Sequence, residues 1–303
     1  MKIGIIGFGN QGKKRANFIR KEKIKFIFDK KIKNSFKKLK DLPLMKVDRV
    51  FLCLPDNEKI KMVDYFLKKQ KHILVEKPLI ISKKKALKLK KISNNKLLLY
   101  TAYNHRFEPN IINLKEKLKK KIIGNIYSVK IFYGNGTSLL VKKSPWKDKG
   151  HGVLTDLGSH IIDTLLFLFP KQKLQFKLIQ KNKFENKSND HVIFQSVNTK
   201  IKFLCEATLL SWKNDFKIDI FGNKGSLHVE GLCKWGPSKL ITRLRKYPSG
   251  KPREYISKIN SPDPTWIKEH KYFNNCIKKK LNYDLIKKDV YITEQLQKLL
   301  KKF

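Results

Sequence analysis

The sequence predicts an α/β protein in two parts: an N-terminal, Rossmann-type doubly wound parallel sheet, then an α+β domain with a large open mixed or antiparallel sheet. Three observations carry this prediction. Short apolar runs alternate with lysine-rich amphipathic stretches early in the chain, the pattern of strands buried on both faces and the helices that cover them. The first apolar run breaks directly into a glycine-rich turn. Beyond residue 125 the runs follow one another through turns rather than helices, so their strands should pair antiparallel or in a mixed sheet.

In the first part, strands are expected at 2–6, 24–29, 49–54, 72–76 and 97–102, with helices near 12–21, 58–69 and 83–94. A further helix starts near Pro109, whose missing N–H costs little in a first helical turn. In the second part, strands are expected at 126–133, 174–179, 191–197, 201–209, 216–221 and 226–230, the last two joined by the Gly-Asn-Lys-Gly turn at 222–225. One long apolar helix, 153–169, interrupts them, and helices at about 264–279 and 289–302 close the chain. At 303 residues two cores are expected, divided as 1–118 and 119–303, with the last helix packing back on the first domain.

The charge balance is extreme: 69 Lys and Arg against 25 Asp and Glu leave a net +44. A polyanion partner is the first thought, yet lysine is spread along almost the whole chain and arginine is rare, whereas nucleic-acid readers gather cations in patches and favour Arg. The spread is read as solvated surface, with no nucleic acid expected. More informative are the stretches without Lys or Arg, at 3–12, 50–58, 97–105 and 150–170, since burying an unpaired ammonium is expensive. Cys53, Cys205, Cys233 and Cys276 are far apart and read as small buried hydrophobes in a reducing compartment; no metal site is expected. No apolar run is long enough to span a bilayer and no secretory signal is evident, so a cytoplasmic location is expected.

Gly7-Phe8-Gly9-Asn10-Gln11-Gly12 fits G-x-G-x-x-G. Between a strand and a helix such glycines permit a tight turn and let a pyrophosphate reach backbone N–H groups at the helix start. Asp29 ends the second strand, where a carboxylate would accept from the adenosine ribose hydroxyls and repel a 2′-phosphate. Lys30 and Lys31 beside it keep NADP in view as the alternative to NAD. Leu54, Pro55 and Asn57 follow the third strand at the sheet edge where such folds bind ligands, although a Pro-Asp turn also caps a helix.

Glu76-Lys77-Pro78 ends the fourth strand, Tyr103-Asn104-His105-Arg106-Phe107 follows the fifth, and Gly152-Val153-Leu154-Thr155-Asp156-Leu157-Gly158-Ser159-His160 opens the apolar helix. With the glycine turn, these three segments resemble, in the same order, the glucose–fructose oxidoreductase / inositol dehydrogenase (Gfo/Idh/MocA) family. The resemblance is strong over the first 110 residues or so and the helix, and pattern-level elsewhere. It implies a nicotinamide-binding first domain and a substrate-binding, oligomerising second domain. It further implies that Lys77 faces substrate and nicotinamide, and that Glu76, Asn104, Arg106 and Phe107 border the cofactor. Read by itself, the helix places Asp156 and His160 four apart on one face, with Ser159, Asp163 and Thr164 extending the polar stripe. Gly158 suggests a close approach to that helix.

The chemistry expected is hydride transfer between NAD, or NADP, and a hydroxyl carbon of a sugar, polyol or nucleotide-linked sugar. His160 has a suitable pKa for the proton, Lys77 would stabilise the developing alkoxide, and Asp156 would orient substrate or imidazole. Lys77, Asn104, Trp146, Asp156 and His160 are the expected substrate contacts, Trp146 offering an aromatic face from the 134–149 segment. The resemblance also implies a homodimer or homotetramer. Competing readings are a catalytically inactive dinucleotide-binding regulator, a polyanion binder, and an enzyme that uses its nicotinamide only transiently.

Overall fold

Strands β1 (Ile3–Ile6), β2 (Ile24–Phe28), β3 (Arg49–Leu52), β4 (His72–Glu76) and β5 (Leu99–Ala102) pair in parallel, in the order 2-1-3-4-5. The computed structural model describes residues 2–19, 21–32, 36, 38–94, 96–148, 150, 152–281 and 285–300. Expected elements that reach positions 20, 149 or 301–302 lie, at those positions, outside the described residues. Register sorts the side chains. The row Ile5–Phe51–Leu74–Tyr100 packs with Phe273 and Cys276 on one face, and Ile6, Leu52 and Val75 pack with Val63, Phe66, Leu89 and Ile286 on the other. Alternate residues of one strand thus bury on opposite faces, which is why the strands read as continuous apolar runs. Helices α1 (Asn10–Asn17), α2 (Asp56–Lys68) and α3 (Lys83–Ser93) lie between the strands, the first starting two residues before its expected place because the glycine turn itself begins the helix.

After α4 (Pro109–Lys119) comes β6 (Ile126–Gly134), then the short helices α5 (Ser138–Lys142) and α6 (Pro145–Asp148). The long apolar helix differs from expectation: Leu154–Gly158 is a π-helical turn, and only α7 (Ser159–Leu168) is α-helical. Strands β7 (Gln175–Asn182), β8 (His191–Val197), β9 (Lys202–Thr208), β10 (Asp215–Gly222), β11 (Gly225–Glu230), β12 (Ser238–Leu244) and β13 (Arg253–Ile259) complete a sheet ordered 13-12-11-10-6-9-8-7. Its pairs are antiparallel except β6–β9, so the sheet is mixed. β12 and β13 have no counterpart in the sequence reading; β13 is exposed along almost all its length and carries no buried apolar alternation to reveal it.

Helices α8 (Thr265–Lys278) and α9 (Leu285–Leu300) follow. The chain divides into two compact units, residues 1–103 with 266–294, and 104–265 with 295–303. This differs from the sequence division at 118: α4 belongs to the second unit, while α8 gives Phe273 and Cys276 to one face of the first sheet and α9 gives Ile286 to the other. Buried strands need cover on both faces, and three crossover helices leave part of it to be supplied by the end of the chain. Cys53, Cys205, Cys233 and Cys276 are free thiols, and among the described residues no helix is long and apolar enough to cross a membrane.

Candidate active site

In the first unit, the three glycines of the turn do three different things. Gly7 has φ +84°, and a Cβ there would lie 2.3 Å from the Cys53 carbonyl oxygen. At Gly12 a Cβ would meet the Gly7 carbonyl oxygen at 2.2 Å, so this residue lets α1 pack on its own loop. Around Gly9, the N-cap of α1, nothing lies within 4 Å of a Cβ position, and the first turn of α1 holds no acidic residue. An open backbone at an uncountered helix N-terminus fits a pyrophosphate. Phe8, Asn10 and Gln11 complete the loop, and the Phe8 N–H donates to Asp29 Oδ2 at 2.6 Å. Lys31 N–H donates to the other Asp29 oxygen at 2.8 Å, fixing the carboxylate against the loop at the end of β2. Leu54 and Pro55 lead into α2, where Pro55 is the N-cap and Asn57 is exposed in the first turn.

Lys77 is half-buried at the end of β4, before the cis Lys77–Pro78 bond. Its backbone is held by a residue the sequence reading passed over. Lys59, 2% exposed, donates from Nζ to the carbonyls of Lys77 (3.0 Å) and Pro78 (2.9 Å) and to Asp56 Oδ1 (2.6 Å). Burial lowers its pKa, and Asp56 opposes that shift. A signal was present, since Lys59 shares the 3- and 4-residue spacing of Met62, Val63 and Phe66, the buried face of α2. Glu76 is the last residue of β4. It is buried with its carboxylate on Arg15 Nε at 2.7 Å, while Arg15 Nη1 lies 2.7 Å from Glu269 and its guanidinium 4.3 Å from the Trp266 ring centroid. A carboxylate at the end of a buried strand requires such a cation.

The second unit gathers the other candidates around α7. Gly152, at φ +55°, lets the chain press on the 189 loop, where Val153 N–H donates to the Asn189 carbonyl at 2.8 Å. The π-helical turn then carries the half-buried Asp156, and α7 carries His160. The close approach expected at Gly158 is made by Leu154, whose Cδ1 would lie 2.9 Å from an added Cβ, within the same wide turn. His160 is 6% exposed, stacked on His105 and 5.9 Å from the Tyr133 ring. Burial, then the charge of Asp156, raises the Tyr133 hydroxyl's pKa well above its usual range, so the phenol is neutral. Arg106 forms a bidentate pair with the buried Asp163, at 2.7 and 2.8 Å, which ties the Asn104–Phe107 turn to α7 and gives Asp163 in the polar stripe its partner. Asn104 donates to Thr265 Oγ1 at 2.9 Å. Trp146 is half exposed on α6, with Lys147 Nζ 5.5 Å from its ring centroid. Sequence reasoning leaves His105 open between packing and the site, and does not single out Tyr133 or Lys234. Only His105 had a signal, its place at the end of a lysine-free stretch.

Each unit also matches known proteins. Residues 1–103 match the oxidoreductase family described as an NAD-binding Rossmann fold, and residues 111–228 match the GFO/IDH/MocA C-terminal domain. The chain therefore belongs to the Gfo/Idh/MocA oxidoreductase family, and its first unit is that family's NAD-binding Rossmann domain. It is similar to the glucose-6-phosphate 3-dehydrogenase of Bacillus subtilis, 34% identical over 34% of this chain and 31% of that one. It is also similar to the inositol 2-dehydrogenase of Rhizobium meliloti, 23% identical over 61% of this chain and 57% of that one. The matches thus span less than two thirds of these relatives' own lengths. Among solved structures, the UDP-N-acetylglucosamine 3-dehydrogenase of Acidithiobacillus ferrooxidans shares the fold with a TM-score of 0.77 at 17% identity, over 98% of this chain and 96% of that one.

Proposed function

We propose that this protein is a dehydrogenase that moves a hydride between a nicotinamide cofactor and a hydroxyl-bearing carbon of a sugar, polyol or nucleotide-linked sugar. The observation that carries the reading is the buried His160 imidazole, set among aromatic rings in a chain whose other unit holds an open glycine turn at a helix start. Gly7, Phe8, Gly9, Asn10, Gln11 and Gly12 would hold the pyrophosphate and Asp29 the adenosine ribose, with Leu54, Pro55 and Asn57 beside them. Asp29 favours NAD, with NADP the alternative. When bound, the cofactor supplies the hydride acceptor. The remaining work belongs to side chains. His160 takes the hydroxyl proton at an imidazole nitrogen, and Lys77 donates a hydrogen bond to the reacting oxygen and stabilises the alkoxide that forms there. Asp156 orients the hydroxyl, while Asn104 and the exposed ring of Trp146 bind the sugar. The sugar- and inositol-dehydrogenase relatives support a small-molecule substrate; a cytoplasmic location and a homo-oligomeric state are part of the same proposal.

The test is a screen of sugars, polyols and nucleotide sugars with NAD and NADP, following absorbance of the reduced cofactor, in the wild type and in His160→Gln. Removing a general base costs about 10²–10⁴ in rate. The variant should therefore lose at least about a hundredfold in kcat while binding NAD as the wild type does. Unimpaired turnover by His160→Gln, or no cofactor reduction with any compound, would refute the reading.

A further inference from the structure

His105 is packed against His160 ring on ring. It is 2% exposed, and the two ring centroids are 4.1 Å apart with planes 18° from parallel. Tyr133 and Phe216 close the sides of the stack, each 5.3 Å from the His105 ring. Lys234 caps it, with Nζ 3.4 Å from His105 Nε2 and 3.3 Å from the Tyr133 hydroxyl, and is seated over the Trp235 ring at 4.2 Å. An ammonium has only protons to give. His105 Nε2 must therefore face it as an acceptor, which leaves the His105 proton on Nδ1 and the ring neutral. Protonating His105 would set a second cation against the Lys234 ammonium.

We propose that His105 and Lys234 together position and tune the general base: the neutral His105 ring fixes the plane of His160, and the Lys234 charge behind it disfavours a proton on His160 in the resting protein. The proposal deepens the dehydrogenase reading and rests on it for the role of His160. Around the stack in this unit stand Tyr133 on β6, Asp156 on the turn before α7, the Arg106–Asp163 pair, whose charges are matched against each other, and the buried Glu108, whose carboxyl interacts with the Lys234 charge but whose pKa burial raises. Asp156 favours a proton on His160, and the Lys234 charge opposes it. A stacked ring at this distance also restricts rotation of His160, so that the base need not be oriented at the moment of reaction.

The experiment is nitrogen-15 NMR of the histidine side chains in the full chain, assigned with His105→Phe and His160→Gln and titrated from about pH 5 to 8. In the wild type, His105 should stay neutral as the Nδ1–H tautomer across that range. Lys234→Met should raise the His160 midpoint by roughly half to one pH unit. His105→Phe, which keeps a stacked ring, should leave His160 as a single sharp signal, and His105→Ala should broaden or split it. A charged or Nε2–H His105 in the wild type overturns the proposal. So does a His160 midpoint that Lys234→Met leaves unmoved. These spectra need no turnover, so their failure leaves the dehydrogenase reading standing, whereas full activity of His160→Gln removes that reading and leaves the measured tautomer intact.

Discussion

Among the described residues, Lys59 is the lysine with almost no exposure, and its burial is explained by what it binds. Its three donors meet three acceptors, two of them the carbonyls that flank the Lys77–Pro78 step. Lys59→Met keeps much of the side-chain volume and removes the donors, leaving those carbonyls without their partner. An unsatisfied buried acceptor costs about 1–3 kcal/mol, so the variant should unfold at visibly lower denaturant concentration. Equal denaturation midpoints for the two proteins would show that water takes over the bonds. At this scale much could be read beforehand. The lysine-free stretches fall on the buried strands β1, β3 and β5 and on the buried α7 helix, because an unpaired ammonium is not tolerated there. What could not be read was pairing: neither Glu76 with Arg15, 61 positions apart, nor Arg106 with Asp163, 57 apart, follows from spacing along the chain.

At the scale of elements, the strands and helices of the first unit were legible because both sheet faces are covered and the apolar pattern is uninterrupted. The π-helical turn at Leu154–Gly158 was not, since hydrophobic periodicity over five residues does not separate it from an α-helix. α8 carries a titrating group that follows from its packing. His270 lies against Phe51, and burial, then the charges of Arg15, Arg49 and Lys23, push its pKa down to about 4. His72 at the start of β4 shifts the same way, chiefly through burial, and accepts the Leu98 N–H at Nδ1. The unfolded chain binds these protons near the usual value of about 6.5. Between about 6.5 and 4 the unfolded state therefore holds more protons, so stability is complete above about 6.5 and declines as pH falls through that window. Thermal melts at stepped pH should show this decline, and His270→Phe, which keeps a ring on Phe51, should flatten it. A parallel decline in both proteins would assign the loss to other groups.

For the molecule as a whole, a net charge of +44 means that the folded chain repels itself. Screening shortens the reach of that repulsion from about 30 Å at 0.01 M salt to about 8 Å at physiological ionic strength. The melting temperature should accordingly rise on adding sodium chloride over that range, and a flat or falling response would mean that ion pairs such as Lys85–Asp64 outweigh the repulsion. The sequence by itself determined the two-part architecture, the glycine turn and the family, because each is written in short-range pattern: strand alternation, a turn that only glycine permits, and motifs in fixed order. Only the tertiary structure decided that α8 and much of α9 serve the first unit, that β12 and β13 extend the second sheet, and that His105 and Tyr133 pack on His160 with Lys234 against those two rings. Those facts depend on which distant surfaces need cover and which distant charges need partners, and no local stretch of chain records either.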